Sequence, residues 1–357
     1  MNAQNDYETL TAGLGFPGSA RLRRVLEDLM TPRQAQMAAA LPGTVAEVAE
    51  KTGFPEDEVR STLDELFYKG VTFPRGDFVN RDYYRFARNI IQLHDASMAT
   101  ETRDVEKDRP FFELWYDFAL NEMYPRTADF YRYATAPMTR VVPAYNAIKD
   151  LPGVLPSENF PEMLKAQEVI AVAPCSCRYC TTSVGDHCER TSEEERWNCL
   201  QFGRGAEYAI KRESGRHLST EEALELCERV EADGLIHQWP NNANMTGVNT
   251  SCQCCRDCCM NYVPIDQARL PIAKAWQKSR YQAYMADLEA CDGCQDCIER
   301  CPFDAITMAK VEGSRKLKPS IIDDGCFGCG SCVVGCEPGA LKMKVVRPPE
   351  FIPGAVV

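Results

Sequence analysis

Apolar positions recur at helical spacing early in the chain. Leu22, Val25, Leu26 and Leu29 fall on one face of a helix predicted from Ala20 to Leu29. Thr44-Val-Ala-Glu47 is a capping box, so a second helix is predicted to open there and to stop near Gly53. Phe54 and Pro55 lead into a third, with Val59, Leu63, Leu66 and Phe67 on one side and Gly70 at its end. The pattern then changes: Val71-Thr72-Phe73, the turn Pro74-Arg75-Gly76-Asp77, and Phe78-Val79 predict a hairpin. From Arg81 to Ala147 aromatics crowd the chain, notably Phe111, Phe112, Trp115, Tyr116, Phe118, Tyr124, Phe130, Tyr131 and Tyr133. They predict a mainly helical core with Pro110, Pro125 and Pro137 as breakpoints. The short apolar run Val169-Ile-Ala-Val-Ala173 predicts a buried strand. Ser219-Thr-Glu-Glu222 caps a helix that closes at Gly234, and its stripe of Leu224, Cys227 and Val230 places Cys227 in a core. Leu235-Ile-His237 follows as a short strand.

Helix, turn, helix and hairpin over 44–79 resemble a winged-helix fold, which raises the question of DNA. Between Glu56 and Lys69 five acids (Glu56, Asp57, Glu58, Asp64, Glu65) face two bases, Arg60 and Lys69. A helix that enters a major groove past phosphates carries the opposite sign. The net charge of -12 over 357 residues points the same way, against nucleic acid and anionic lipid. A packing or protein-docking module is the expectation for this part. No apolar run approaches eighteen residues and the amino terminus lacks a signal-peptide pattern, so a cytoplasmic protein without a membrane span is expected.

Nineteen cysteines in a reducing compartment change the picture. Cys291-Asp-Gly-Cys294-Gln-Asp-Cys297-Ile-Glu-Arg-Cys301-Pro302 returns thirty-five residues later as Cys326-Phe-Gly-Cys329-Gly-Ser-Cys332-Val-Val-Gly-Cys336-Glu-Pro338. This spacing is the run in which the fourth cysteine serves the other iron–sulfur cluster. Cys291, Cys294, Cys297 and Cys336 are therefore expected to hold one [4Fe–4S] cube, and Cys326, Cys329, Cys332 and Cys301 a second. Loops this tight need positive φ and close backbone approach, which Gly293 supplies in the first and Gly328, Gly330 and Gly335 in the second. Structural zinc, with its separated Cys-x-x-Cys pairs, matches the repeated triplets poorly. The stretch closely resembles the two-cluster bacterial ferredoxin fold, which implies a short helix after each run and β-hairpin strands joining the halves. One departure is the residue Glu337 between Cys336 and its proline. Around the first run Asp287, Glu289, Asp292, Asp296, Glu299 and Asp304 face only Arg300, which reads as a docking face for a basic redox partner.

Ten further cysteines form a second field: Cys175, Cys177, Cys180, Cys188 and Cys199, then Cys252, Cys254, Cys255, Cys258 and Cys259. They read as two halves of a metal site brought together by folding, with Arg178, Arg204 and Arg256 near enough in sequence to offset thiolate charge. Three chemistries stay open: one or two further [4Fe–4S] clusters, structural zinc on four of the thiols, or a redox-active dithiol or unusual cluster. Neighbouring cysteines such as Cys254-Cys255 and Cys258-Cys259 cannot readily share one metal, so one member of each pair is expected to serve another centre or none. His187, beside Cys188, is the one histidine placed to ligate or to donate a proton.

With Pro174-Cys175-Ser-Cys177-Arg178 and Cys252-Gln-Cys254-Cys255-Arg-Asp-Cys258-Cys259, the whole chain resembles a group of anaerobic iron–sulfur proteins. Their pattern implies an α+β, multidomain protein: a helical and winged-helix-like part at 1–140, a cysteine-rich α/β middle at 141–270, and a two-[4Fe–4S] ferredoxin fold at 271–357. The expected role is single-electron transfer to or from a partner oxidoreductase such as a flavoprotein, in anaerobic metabolism. A reductase with its own site at 175–259 and a redox-sensing transcription regulator are the alternatives.

Overall fold

The computed structural model describes residues 3–99, 103–104, 106–186, 188, 190, 196–241 and 248–352. Contacts divide the chain into two compact units: Met1–Tyr124 with Ala173–His187 and Glu207–Arg216, and Pro125–Val172 with Cys188–Ala206 and His217–Val357.

In the first unit the helix Ala20–Leu29 starts where the Ser19 hydroxyl accepts the Leu22 amide, and it buries Leu22, Val25, Leu26 and Leu29. The capping box at Thr44 has both of its hydrogen bonds, and the helix Val45–Thr52 ends on Gly53 at φ 75°. Val59, Leu63, Leu66 and Phe67 are the buried face of the helix Glu56–Tyr68. These two helices close on Met37, Val45, Val48, Val59, Leu63 and Tyr84 as a small core.

The hairpin differs from expectation in its second strand. Thr72–Pro74 pairs antiparallel with Tyr83–Phe86, not with Phe78-Val79, and Gly43–Thr44 adds a third strand on the far side. The reason is local: the Asp77 carboxylate accepts the Val79 amide at 2.7 Å, and Arg81 donates to the Phe78 carbonyl. That turn lengthens the connection and leaves Val79 exposed.

Phe111, Phe112, Trp115 and Phe118 are buried together on the helix Arg109–Phe118, with Pro110 in its first turn, where a missing N–H is harmless. A π turn, Ala119–Met123, follows. In the helix Tyr124–Tyr133 only part of the aromatic expectation holds. Ala128 and Tyr131 face inward, whereas Phe130 and Tyr133 are exposed, because they fall on the opposite side of the same helix.

The second unit contains a four-stranded sheet in the order Gln253–Cys254, Ile236–Pro240, Thr139–Val142, Trp276–Gln277; the last pair is parallel. Strand Ile236–Pro240 begins one residue later than the sequence suggests. The Leu235 amide is taken by the Val230 carbonyl, so Leu235 still belongs to the turn that ends helix Thr220–Ala232 at Gly234, φ 78°. Phe160, Leu164, Ile170, Val172, Leu200, Phe202 and Cys227 form one core here.

At the carboxyl end two ladders face each other across the repeat. Tyr281–Met285 pairs antiparallel with Leu341–Val345, and Ile306–Ala309 with Lys318–Ile321. The short helices Asp296–Glu299 and Ser331–Val334 carry the third cysteine of each run. Among the described residues no helix is long and apolar enough to cross a membrane.

Candidate metal centres

The repeat closes around two cavities. One is lined by Cys291, Cys294, Cys297 and Cys336. The other is lined by Cys326, Cys329, Cys332 and Cys301. The structure thus brings together the two sets of four that the spacing named, each with its fourth cysteine from the other run.

Backbone geometry explains the fit. Gly293 and Gln295 in the first loop have φ 77°, and Gly328 and Gly330 at the matching places have φ 71° and 80°. Gln295 takes a left-handed conformation that glycine more commonly fills, and sequence inspection missed it. Gly335 keeps a negative φ and lines the first cavity, not the second. Its lack of a side chain answers a close approach, since a Cβ there would stand 2.2 Å from Cδ and Nε of Arg300. Pro338 lines the first cavity too, so the inserted Glu337 does not move the proline away from it.

The two cavities differ in surroundings. Cys294 is exposed, and the Asp292 carboxylate holds the Cys294 amide at 3.0 Å. Of the acids near the first run, Asp304 is paired with Arg256, contrary to the expectation that Arg300 is their sole counter-ion. Arg300 itself is turned inward, donating to the carbonyls of Ser331, Ala232 and Glu231 at 2.8–2.9 Å. Cys326 and Cys332 are buried, and the cavity is walled by the stacked rings of Phe303 and Phe327, centroids 4.4 Å apart. The Ala144 amide binds the Cys329 carbonyl and the Ser279 hydroxyl the Gly328 carbonyl, both at 2.8 Å, which fixes the second loop from behind.

Burial and the neighbouring charges of Cys294, Cys336 and Cys291 push the Cys297 thiol up to about 11. Burial, then Cys301, pushes Cys329 up to about 12. A cation sharing the cavity would offset that cost of ionising the thiols. Four thiols, space between them and left-handed loops on both sides therefore fit an iron–sulfur cube at each place.

The ten middle cysteines separate into smaller groups. In the first unit, Cys175 and Cys177 are hydrogen-bonded neighbours, which together with burial raises the Cys175 thiol well above its usual range. Cys180 sits in the aromatic core, its Sγ 4.0 Å from the Phe112 carbonyl, and burial raises it as well. In the second unit, Cys254 and Cys259 are 3.3 Å apart, and Cys252 is hydrogen-bonded to Cys254. Cys188, Cys255 and Cys258 gather elsewhere with Asp257. Cys199, on strand Trp197–Phe202, lies 3.0 Å from the Gln201 amide nitrogen and 3.9 Å from the Thr250 hydroxyl. Asp257 was missed from sequence, although its place between Cys255 and Cys258 was a usable signal. His187 lies outside the described residues. Of the three arginines expected to offset thiolate charge, Arg256 is engaged by Asp266 and Asp304, Arg204 is exposed, and Arg178 is buried beside Cys175.

Tyr262 was also missed, three residues past Cys259. It is fully buried, and its ring lies 3.7 Å from that of Trp276 and 6.0 Å from that of Phe303. Burial, then the charges of Cys329, Cys254, Cys259 and Cys301, raises its hydroxyl well above the usual phenol range.

Cys227 is core, packed with Leu226 and Val230, and burial raises its thiol. Cys227→Ala is accordingly expected to leave iron and labile sulfide per chain unchanged, a result that metal analysis of the anaerobically purified variant reads directly.

Residues 290–340 match the family model described as a 4Fe-4S dicluster domain. The chain is 35% identical over 57 residues to the ferredoxin-type protein NapF of Haemophilus influenzae, an overlap of 16% of this chain. It spans about a third of that relative's length, 32%. No solved structure matches the chain. Its residues 290–340 are thus a ferredoxin-type [4Fe–4S] domain, set at the carboxyl end of a mixed helix-and-strand protein.

Proposed function

We propose that the chain is an iron–sulfur electron-transfer protein that relays single electrons between a partner oxidoreductase and its own cysteine-rich middle, in the cytoplasm of an anaerobic cell. In this reading Cys291, Cys294, Cys297 and Cys336 hold one cube, and Cys326, Cys329, Cys332 and Cys301 the other. One-electron exchange is the chemistry such cubes supply when bound. The division at 1–140, 141–270 and 271–357 is then one of labour: protein docking, receiving thiols, and cube binding.

The carrying observation is the asymmetry of the two cavities. The first opens to solvent at Cys294 among Asp287, Glu289, Asp292 and Glu299, which suits a basic partner such as a flavoprotein subunit. At the second, Cys326 and Cys332 are buried, and its wall residue Phe303 leads to Tyr262, Trp276 and the thiols of Cys254 and Cys259 within one buried cluster. Tyr262, fully buried, fills that path with an uncharged ring.

Stopped-flow transfer from the reduced full chain to a basic cytochrome c is expected to slow several-fold as salt rises from low to high ionic strength. Glu289→Lys with Glu299→Lys should remove that dependence while iron content holds. A rate indifferent to salt would remove the docking face from the account, and a preparation without iron and labile sulfide would remove the relay.

A second reading, a reductase turning over substrate at its own thiols, is favoured by the Cys252, Cys254 and Cys259 group at the inner end of that path. Substrate turnover by the isolated chain would select it. The regulator reading gains nothing from the helix Glu56–Tyr68, where Arg60 is spent on Arg81 and Asp82.

A further inference from the structure

The segment Cys252–Cys259 deals its thiols to two sides. Gln253 and Cys254 pair with His237 and Ile236, and side chains alternate along such a strand. Cys252 and Cys254 therefore share one face, and Cys255 takes the other. The turn that follows repeats the division, so that Cys259 joins Cys254 in one apolar cluster while Cys255 and Cys258 lie in another, next to Cys188.

We propose that Cys188, Cys255 and Cys258, with Asp257 as fourth ligand, hold a single tetrahedral metal ion of the zinc type, separate from the electron path. The donor atoms of these four residues all lie within 4.8 Å of one another. A zinc–thiolate bond of about 2.3 Å puts the corners of a tetrahedron about 3.8 Å apart. The Sγ atoms of Cys188 and Cys255 are 3.8 Å apart.

A cube does not suit this spacing. It inserts four irons and four sulfides between its thiolates, and thiols as close as those of Cys188 and Cys255 leave no room for them. Composition agrees with a single ion as well. Cys255-x-x-Cys258 is the half-site that tetrahedral zinc commonly takes, and a carboxylate is an accepted partner for it. Cys255 and Cys258 are 4% and 2% exposed in an apolar core, where thiolates without a cation are costly. The ion ties residue 188 to the turn at 255–258, across an insert of more than sixty residues that builds helix Thr220–Ala232 and its strands. Its role is structural: all four positions are filled by protein, and none is left for substrate.

The inference goes beyond the relay and can fail without it. The full chain, purified without oxygen, is analysed for zinc, iron and labile sulfide, and its reduced clusters are followed by electron paramagnetic resonance. About one zinc per chain is expected beside the iron. Cys258→Ala and Cys188→Ala should each lose that zinc and keep the ferredoxin signals, whereas Cys254→Ala should retain it. Because loss of a ligand can unfold the Cys variants locally, cobalt(II) exchanged into the wild-type chain gives an independent reading: intense tetrahedral d–d bands with thiolate charge transfer are expected. Loss of about four iron and four sulfide in Cys258→Ala, or a wild-type chain whose cobalt spectrum is octahedral, would overturn the assignment. Absent ferredoxin signals with zinc in place would sink the relay and leave this site standing.

Discussion

Gly328→Val is expected to empty the second cavity while the first stays loaded, removing about four iron and four labile sulfide per chain. A Cβ at Gly328 would stand 2.2 Å from both the Ser279 hydroxyl and the Tyr281 carbonyl, at a φ of +71° that branched side chains avoid. Neither neighbour can retreat cheaply. Ser279 is held by its bond to the Gly328 carbonyl, and Tyr281 is the first residue of the ladder with Leu341–Val345. The loop must therefore swing outward, carrying Cys326 and Cys329 with it. Cys291, Cys294 and Cys297 are untouched, and Cys336 lies beyond the helix Ser331–Val334. Quantitation of iron and sulfide beside electron paramagnetic resonance separates this outcome from general unfolding, in which both signals vanish. Full occupancy of both cubes in the variant would show that the loop tolerates the side chain.

Arg280→Ala is the second large effect, acting on stability. Arg280 donates to the Glu158 carboxylate at 2.8 Å, with side chains 6% and 2% exposed, and the Tyr281 hydroxyl donates to the same oxygen at 3.1 Å. Removing the guanidinium leaves a buried carboxylate without its main partner, a loss that costs about 3–5 kcal/mol. Arg140, itself brought down to about 10 by burial, is the remaining nearby cation and keeps the cost toward the lower figure. Urea unfolding followed by circular dichroism measures it. Arg280→Met with Glu158→Leu should recover much of the loss, because it removes both charges together. A single variant as stable as the wild type would mean that water reaches Glu158.

Some of the candidate site was legible without coordinates because the chemistry imposes it locally. Three cysteines at fixed spacing wrap a cavity by loop geometry alone, so the ferredoxin sets could be written from the repeat, and the capping boxes at Thr44 and Ser219 marked helix starts for the same reason. The second strand of the hairpin was misplaced because one Asp77 side chain extended the turn, a choice that hydrophobic pattern does not register. The density of aromatics puts Phe130 and Tyr133 in a core, whereas which face of their helix meets the core depends on what packs there.

By itself the sequence determined the ferredoxin-type repeat, the acidic character and the apolar faces of the main helices, since each is set by residues a few positions apart. Only the tertiary structure decided that Cys254 and Cys255 part company, that Tyr262 sits between the second cavity and the middle thiols, and that Arg256 serves Asp266 and Asp304. Those outcomes depend on strands and loops distant along the chain meeting in one place, and a thiol's neighbours across a fold are not encoded in its spacing from the next cysteine.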